Sequence, residues 1–136
     1  MGYTRYHHTR INMVTIPQDF QKDVAAILGA ADAAGIAVAG PMGTGDPEVS
    51  SQKVAFNGSV NGATDESHES FVIDLTGRDD WGFTKTARKP YDIVVNAVLR
   101  SAKFHGVVDS YAADGDNEEE AALALLADAG CAKRSA

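Results

Sequence analysis

Three cations and two hydroxyls stand immediately before a proline in the segment Thr84-Lys85-Thr86-Ala87-Arg88-Lys89-Pro90-Tyr91-Asp92. Proline suits the first position of a helix, where its missing amide hydrogen is not needed, and an acidic Asp92 is favourable in the first turn. A helix N-terminus carries unpaired amides and the positive end of a dipole, so this segment suits anion binding, above all of phosphate. Arg88 can grip phosphate oxygens through two parallel hydrogen bonds, while Lys85 and Lys89 act as mobile point charges. The alternative is a solvated basic turn paired with the chain's carboxylates.

Other groupings carry less chemistry. His7 and His8 are adjacent, which points their rings to opposite faces of a strand, and His68 and His105 lack ligand spacing, so no metal site is expected. His7-His8-Thr9 gives one His-x-Thr unit, the half-signature of two-histidine phosphoesterases, without a second. His68 with Glu69, and Asp79 with Asp80, are acid–base candidates lacking a nucleophile in context. The glycine-rich loop from Gly40 to Pro47 has Asp46-Pro47 where a phosphate loop needs Lys and Ser/Thr. Asp114-Gly115-Asp116 resembles a calcium loop but has Glu119 where the sharp turn needs glycine, and a helix start explains it better. The lone Cys131 reads as an inert thiol near a helix end, and neither a disulfide nor a zinc cluster can be built from it. The expectation is binding rather than catalysis, with no cofactor.

Positioning such a site requires elements whose order follows from periodicity. Thr9 to Ile16, rich in Ile, Met and Val, reads as a first strand ended by Pro17. Phe20, Val24, Ile27, Leu28 and Ala31 fall at helical spacing, predicting a helix over 18–34 that stops at Gly35. Ile36–Ala39 reads as a short strand. Strands are predicted over 52–59 and 68–75, around Val54-Ala55-Phe56 and Phe71-Val72-Ile73, and Phe83-Thr84-Lys85 extends another. A second helix over 90–104 carries Tyr91, Val94, Val95, Val98 and Ala102 on one face and closes at Gly106. Val107–Tyr111 returns as a strand, and Asn117 with Glu120 forms a capping box for a last helix over 117–129. The fold class is α+β, a mainly antiparallel sheet of four to five strands with three helices, in a single ligand-binding domain spanning 1–136.

A length of 136 residues suits one core, and 44% apolar with 23% charged residues is ordinary globular composition. No apolar run reaches the length of a membrane span, and the first residues lack the apolar core of a secretory signal, which makes a cytosolic setting the expectation. A net charge of −7 argues against a general binder of long nucleic acid. Between Lys85 and Lys103 five cations face Asp92 alone, a local balance of +4 that leaves −11 to the rest.

The residues Phe56-Asn57-Gly58, His68-Glu69-Ser70-Phe71 and Lys85 to Asp92 resemble the strand ends and helix start of a family of small phage-encoded proteins. The likeness runs over roughly residues 10–130, with the last of these motifs the specific one. The chain departs from the family at Thr84, where cysteine is expected, and at Asp116-Asn117, where Asp-Trp is expected. This family is similar to the first-described anti-Thoeris sponges, which sequester cyclic ADP-ribose isomers and, in some members, cyclic oligonucleotides without cleaving them. The resemblance implies an anti-defence protein in the cytoplasm of the infected bacterial host, acting as a homo-oligomer on a nucleotide immune messenger. Such a ligand needs cations, polar groups and an aromatic platform. Lys85, Arg88 and Lys89, then Asn57 and Asp92, then Phe56, Phe71 and Phe83 fit those roles, although strand phenylalanines also serve as ordinary core. The competing functions are an enzyme degrading such a nucleotide and an inhibitor whose acidic surface engages a host protein.

Overall fold

The computed structural model describes residues 3–10, 12–62, 64–76, 81–115 and 118–135. In chain order the elements are β1 (Thr4–Thr9), α1 (Gln18–Ala33), β2 (Val38–Ala39), β3 (Glu48–Val49), β4 (Lys53–Gly58), β5 (Phe71–Asp74), β6 (Trp81–Lys85), α2 (Tyr91–Phe104), β7 (Val108–Ala113) and α3 (Glu119–Asp128), followed by a short 3-10 turn, Ala132–Ser135. The class is α+β, and every strand pairing among the described residues is antiparallel.

The strands form two sheets. One has the order β6-β1-β7, with Tyr6 opposite Phe83 and His8 opposite Trp81. The other is built on β4, which pairs with β2, with β3 and along its length with β5. The core lies between these sheets and the helices, where Phe20, Val24 and Ile27 of α1 meet Phe56, Phe71 and Ile73 and the apolar positions of α2.

The first strand differs from the sequence expectation. It runs over Thr4–Thr9 rather than Thr9–Ile16, and Asn12, with φ at +69°, turns the chain away from extended geometry soon afterwards. β1 is polar by composition, yet Arg5, His7 and Thr9 are buried on its inner side. Arg5 is accommodated there because its guanidinium meets both oxygens of Asp92 at 2.7 and 2.8 Å. Thr86 adds a third bond to that carboxylate at 2.6 Å.

α2 is also more deeply placed than a one-sided helix. Asn96, Arg100 and Ser101 are buried along with the apolar face, and each has a polar partner: Arg100 donates to Asn96 at 3.0 Å, and Ser101 donates to Asp23 of α1 at 2.8 Å. His105 contacts the same Asp23 oxygen at 2.8 Å, fastening the end of α2 to α1. The predicted stops at Gly35 and Gly106 have positive φ, as a helix end needs, and so does Gly130 after α3. The capping role expected of Asn117 lies outside the described residues.

Candidate functional site

The residues of the three motifs assemble into a seam between the two sheets. Asn57 donates to the carbonyls of Pro41 and His68 and accepts from the amides of Gly58 and His68, so both ends of its amide are engaged. The ring of His68 meets the Lys85 carbonyl at 2.5 Å, Glu69 donates its amide to the same carbonyl, and its carboxylate accepts from the Lys85 amide at 2.8 Å. Tyr91 donates to the Glu69 carbonyl at 2.5 Å, and burial raises its phenol well above the ordinary value, which keeps it a donor. Thr86 and Asp92 complete the knot through Arg5.

This seam closes one end of what would otherwise be a β5–β6 hairpin. Bonding is present where Glu69 faces Lys85, but β5 and β6 are not paired with each other beyond it. The opening is a cleft of about 400 Å³, a volume suited to a small organic molecule. His7 and Thr9 line it from β1, Ser70, Val72 and Asp74 from the β5 side, and Trp81, Gly82 and Phe83 from β6. Trp81 is 67% and Phe83 60% exposed, an unusual display of two large aromatics at alternate positions of one strand. His8 packs at a tilt against Trp81, 4.4 Å between ring centroids, and contacts Asp109 at 3.3 Å.

His7 is the most deeply buried polar residue lining the cleft. It is 4% exposed, its ring stands 5.4 Å from that of Phe71, and its Nδ1 has no hydrogen-bond partner. Burial, with a smaller contribution from neighbouring His8, lowers its pKa to about 4, against a weaker opposing backbone hydrogen bond at Val72. The ring is therefore neutral at physiological pH. Gly82 makes room for it: a Cβ there would lie 2.3 Å from Cε1 and 2.4 Å from Nε2.

The eight residues expected to hold a ligand separate into groups. Phe56 and Phe71 are fully buried in the core and pack on each other at 5.2 Å, which leaves neither a face for a ligand. Asn57 and Asp92 are buried and saturated by the internal bonds above. Lys89 reaches the Asp65 carbonyl at 2.9 Å, whereas Arg88 lies 3.8 Å over the Tyr3 ring and 3.7 Å from Glu118. These two cations thus point to different neighbours. The first amides of α2 are also engaged, Asp92 donating to Lys89 and Ile93 to Pro90. Only Phe83 lines the cleft, with exposed Lys85 two positions further along the same side of β6.

Trp81, His7 and Asp74 were not anticipated. The alternation Trp81, Phe83, Lys85 was a readable signal for one exposed strand face, and His-x-Thr placed His7 and Thr9 on a common face. Asp79 and Asp80 lie outside the described residues. The Gly40–Pro47 loop is folded on its own backbone, Gly40 donating to Thr44 and Gly45 and Gly43 to Gly40. Among the described residues no group of three or more His, Cys, Asp or Glu could hold a metal ion, and no helix is long and apolar enough to cross a membrane. Compared with known proteins, the chain matches no family model, no curated protein and no solved structure.

Proposed function

We propose that this protein binds a nucleotide-class small molecule in the cleft between β5 and β6 and retains it without turnover. The observation that carries the reading is the cleft itself, an opened hairpin of about 400 Å³ whose rim presents Trp81 and Phe83 to solvent. Exposed aromatic rings side by side favour stacking on a planar base. Asp74 and Ser70 offer partners for ribose hydroxyls, and Lys85 at the closed end offers a charge to a phosphate. Arg88 and Lys89 belong to the same basic margin and take a secondary part.

Sequestration is the mode of the phage sponges that the chain resembles, and it makes the ligand class a cyclic ADP-ribose isomer or a cyclic oligonucleotide serving host immunity in the bacterial cytoplasm. A homo-oligomer is part of the proposal, and the outer edge of β7 is a strand that a second copy could extend. Trp81 is the chain's single tryptophan, so its emission reports directly on the rim. Titration with cyclic ADP-ribose, ADP-ribose and cyclic di-AMP should give a saturable change with at least one of them, confirmed by calorimetry. Heat denaturation of the complex should then release the ligand intact. Released product would make the protein an enzyme, and a flat response throughout would remove the proposal.

A further inference from the structure

Strand alternation puts Trp81, Phe83 and Lys85 of β6 on the outward face of their sheet, together with Tyr6 of β1 opposite Phe83. No element among the described residues covers that face, and Trp81, Phe83 and Tyr6 stay 67%, 60% and 41% exposed. At roughly 150–250 Å² for a whole aromatic side chain, these three display on the order of several hundred Å², a patch of the size that marks an interface on a soluble protein. Across the strands each row runs from large to small: Phe83 through Tyr6 to Ala112, and Trp81 through His8 to Ser110. The next row runs from cation to anion. Lys85 opens it opposite Thr4, and Asp114, whose amide donates to the Thr4 carbonyl, closes it on the β7 side. Neither has an ion-pair partner among the described residues, the Asp114 carboxylate accepting from the Thr4 amide and the Tyr6 hydroxyl.

We infer that this face pairs with the same face of a second copy, about a two-fold axis parallel to the strands. Such an axis lays β6 of one protomer over β7 of its partner and keeps the strand ends aligned. Phe83 then meets the partner's Ala112, Trp81 the partner's Ser110 and Lys85 the partner's Asp114, each contact occurring twice. Large side chains fill the space that small ones leave, and both lone charges are paired at the margin of an aromatic centre. A two-fold axis across the strands would instead set β6 on β6, bulk against bulk, and would keep the lysine and the carboxylate apart. With its polar margin the face approaches the roughly 800 Å² per partner that a stable pair buries. Trp81 and Phe83 also line the cleft, which opens beyond β6 on the side away from β1. The overlap ends at β6, so the partner covers the tips of the rings and leaves their cleft side to a ligand. The pairing gives the homo-oligomer proposed above its surface and does not depend on what the cleft holds.

Sedimentation velocity on the full chain without ligand tests the pairing. At about 100 μM, where even a modest interface is populated, wild type should sediment at twice the 14.3 kDa of one chain. Lys85→Glu sets two carboxylates against each other at both contacts, and Asp114→Lys two ammonium groups, so each variant alone should dissociate at least about tenfold more readily. Mixed in equal amounts, the two variants should form a heterodimer, because both of its contacts unite opposite charges. A misfolded chain could not give that recovery. Ala112→Trp, at an exposed position, should abolish the pair by filling the space meant for Phe83, while thermal unfolding of the dilute monomer stays as in wild type. A monomeric wild type at this concentration overturns the inference, as do folded single variants whose mixture restores nothing. A dimer that survives Ala112→Trp also overturns it and moves the contact elsewhere, to the outer edge of β7 above all. None of these outcomes bears on the cleft, whose ligand is read separately by titration.

Discussion

Gly82→Ala should be among the most damaging small substitutions in the molecule, for a reason confined to one contact. The backbone at 82 does not need glycine for its dihedral angles, since its φ is not among the positive ones, so alanine meets no conformational penalty. The new methyl would instead stand 2.3 Å from Cε1 of His7, far inside van der Waals contact. Forcing a methyl into a packed site costs roughly 1–3 kcal/mol, and the upper half of that range fits a rigid ring held against Phe71. His7→Ala alone should cost about 1–2 kcal/mol, because the lost ring packing is partly offset by removal of an unpaired nitrogen. In the double variant the alanine methyl occupies space the ring has left. The pair should therefore be less destabilised than the sum by about 1–2 kcal/mol, well outside the few tenths expected of independent sites. Urea unfolding followed by circular dichroism, with the midpoint read at constant slope, measures all four corners of the cycle. Additivity within about 0.3 kcal/mol would show that Gly82 and His7 do not meet as described.

Three further outcomes follow from the same geometry. Asp92→Ala strips the buried Arg5 guanidinium of its bidentate partner and should cost about 3–5 kcal/mol or abolish folding, as read by thermal unfolding. His7 titrates near 4 in the folded chain against 6.5 when exposed, so the unfolded chain takes up the proton first; the associated stability is complete above pH 6.5 and is lost as pH falls towards 4, by about 3 kcal/mol. The measurement is the difference in that pH slope between wild type and His7→Phe, which isolates the contribution of this ring. Lys85→Ala should weaken a phosphorylated ligand about three- to tenfold and lessen the salt dependence of binding, whereas Arg88→Ala should leave affinity nearly unchanged and cost about 0.5–1 kcal/mol through its lost stack on Tyr3, both read by calorimetry.

Helices were legible because their signals are local. Apolar spacing together with Pro17, Gly35, Pro90 and Gly106 marks α1 and α2 to within a residue or so of Gln18–Ala33 and Tyr91–Phe104. The strands around Phe56 and Phe71 were legible for the same reason. β1 was not, because its inward positions are Arg5, His7 and Thr9, and what makes an inward arginine tolerable is an aspartate 87 positions away. The Thr9–Ile16 stretch has strand composition but little alternation, and composition alone does not supply a partner edge. The basic helix start reads in the sequence as a site for an anion, whereas in the structure much of its polar chemistry is spent on Arg5, Glu69 and Tyr3. The cleft was the least legible feature. It arises from a hairpin that closes at Glu69 and Lys85 and parts beyond them, a property of two sheets meeting rather than of any one segment.

The most direct measurement of ligand placement is a set of intermolecular nuclear Overhauser contacts between the base protons of the bound nucleotide and the protein. Contacts from adenine H2 and H8 to the rings of Trp81 and Phe83 are the predicted result. Contacts confined to the start of α2, around Arg88 and Lys89, would contradict the cleft and place the ligand on the basic turn instead.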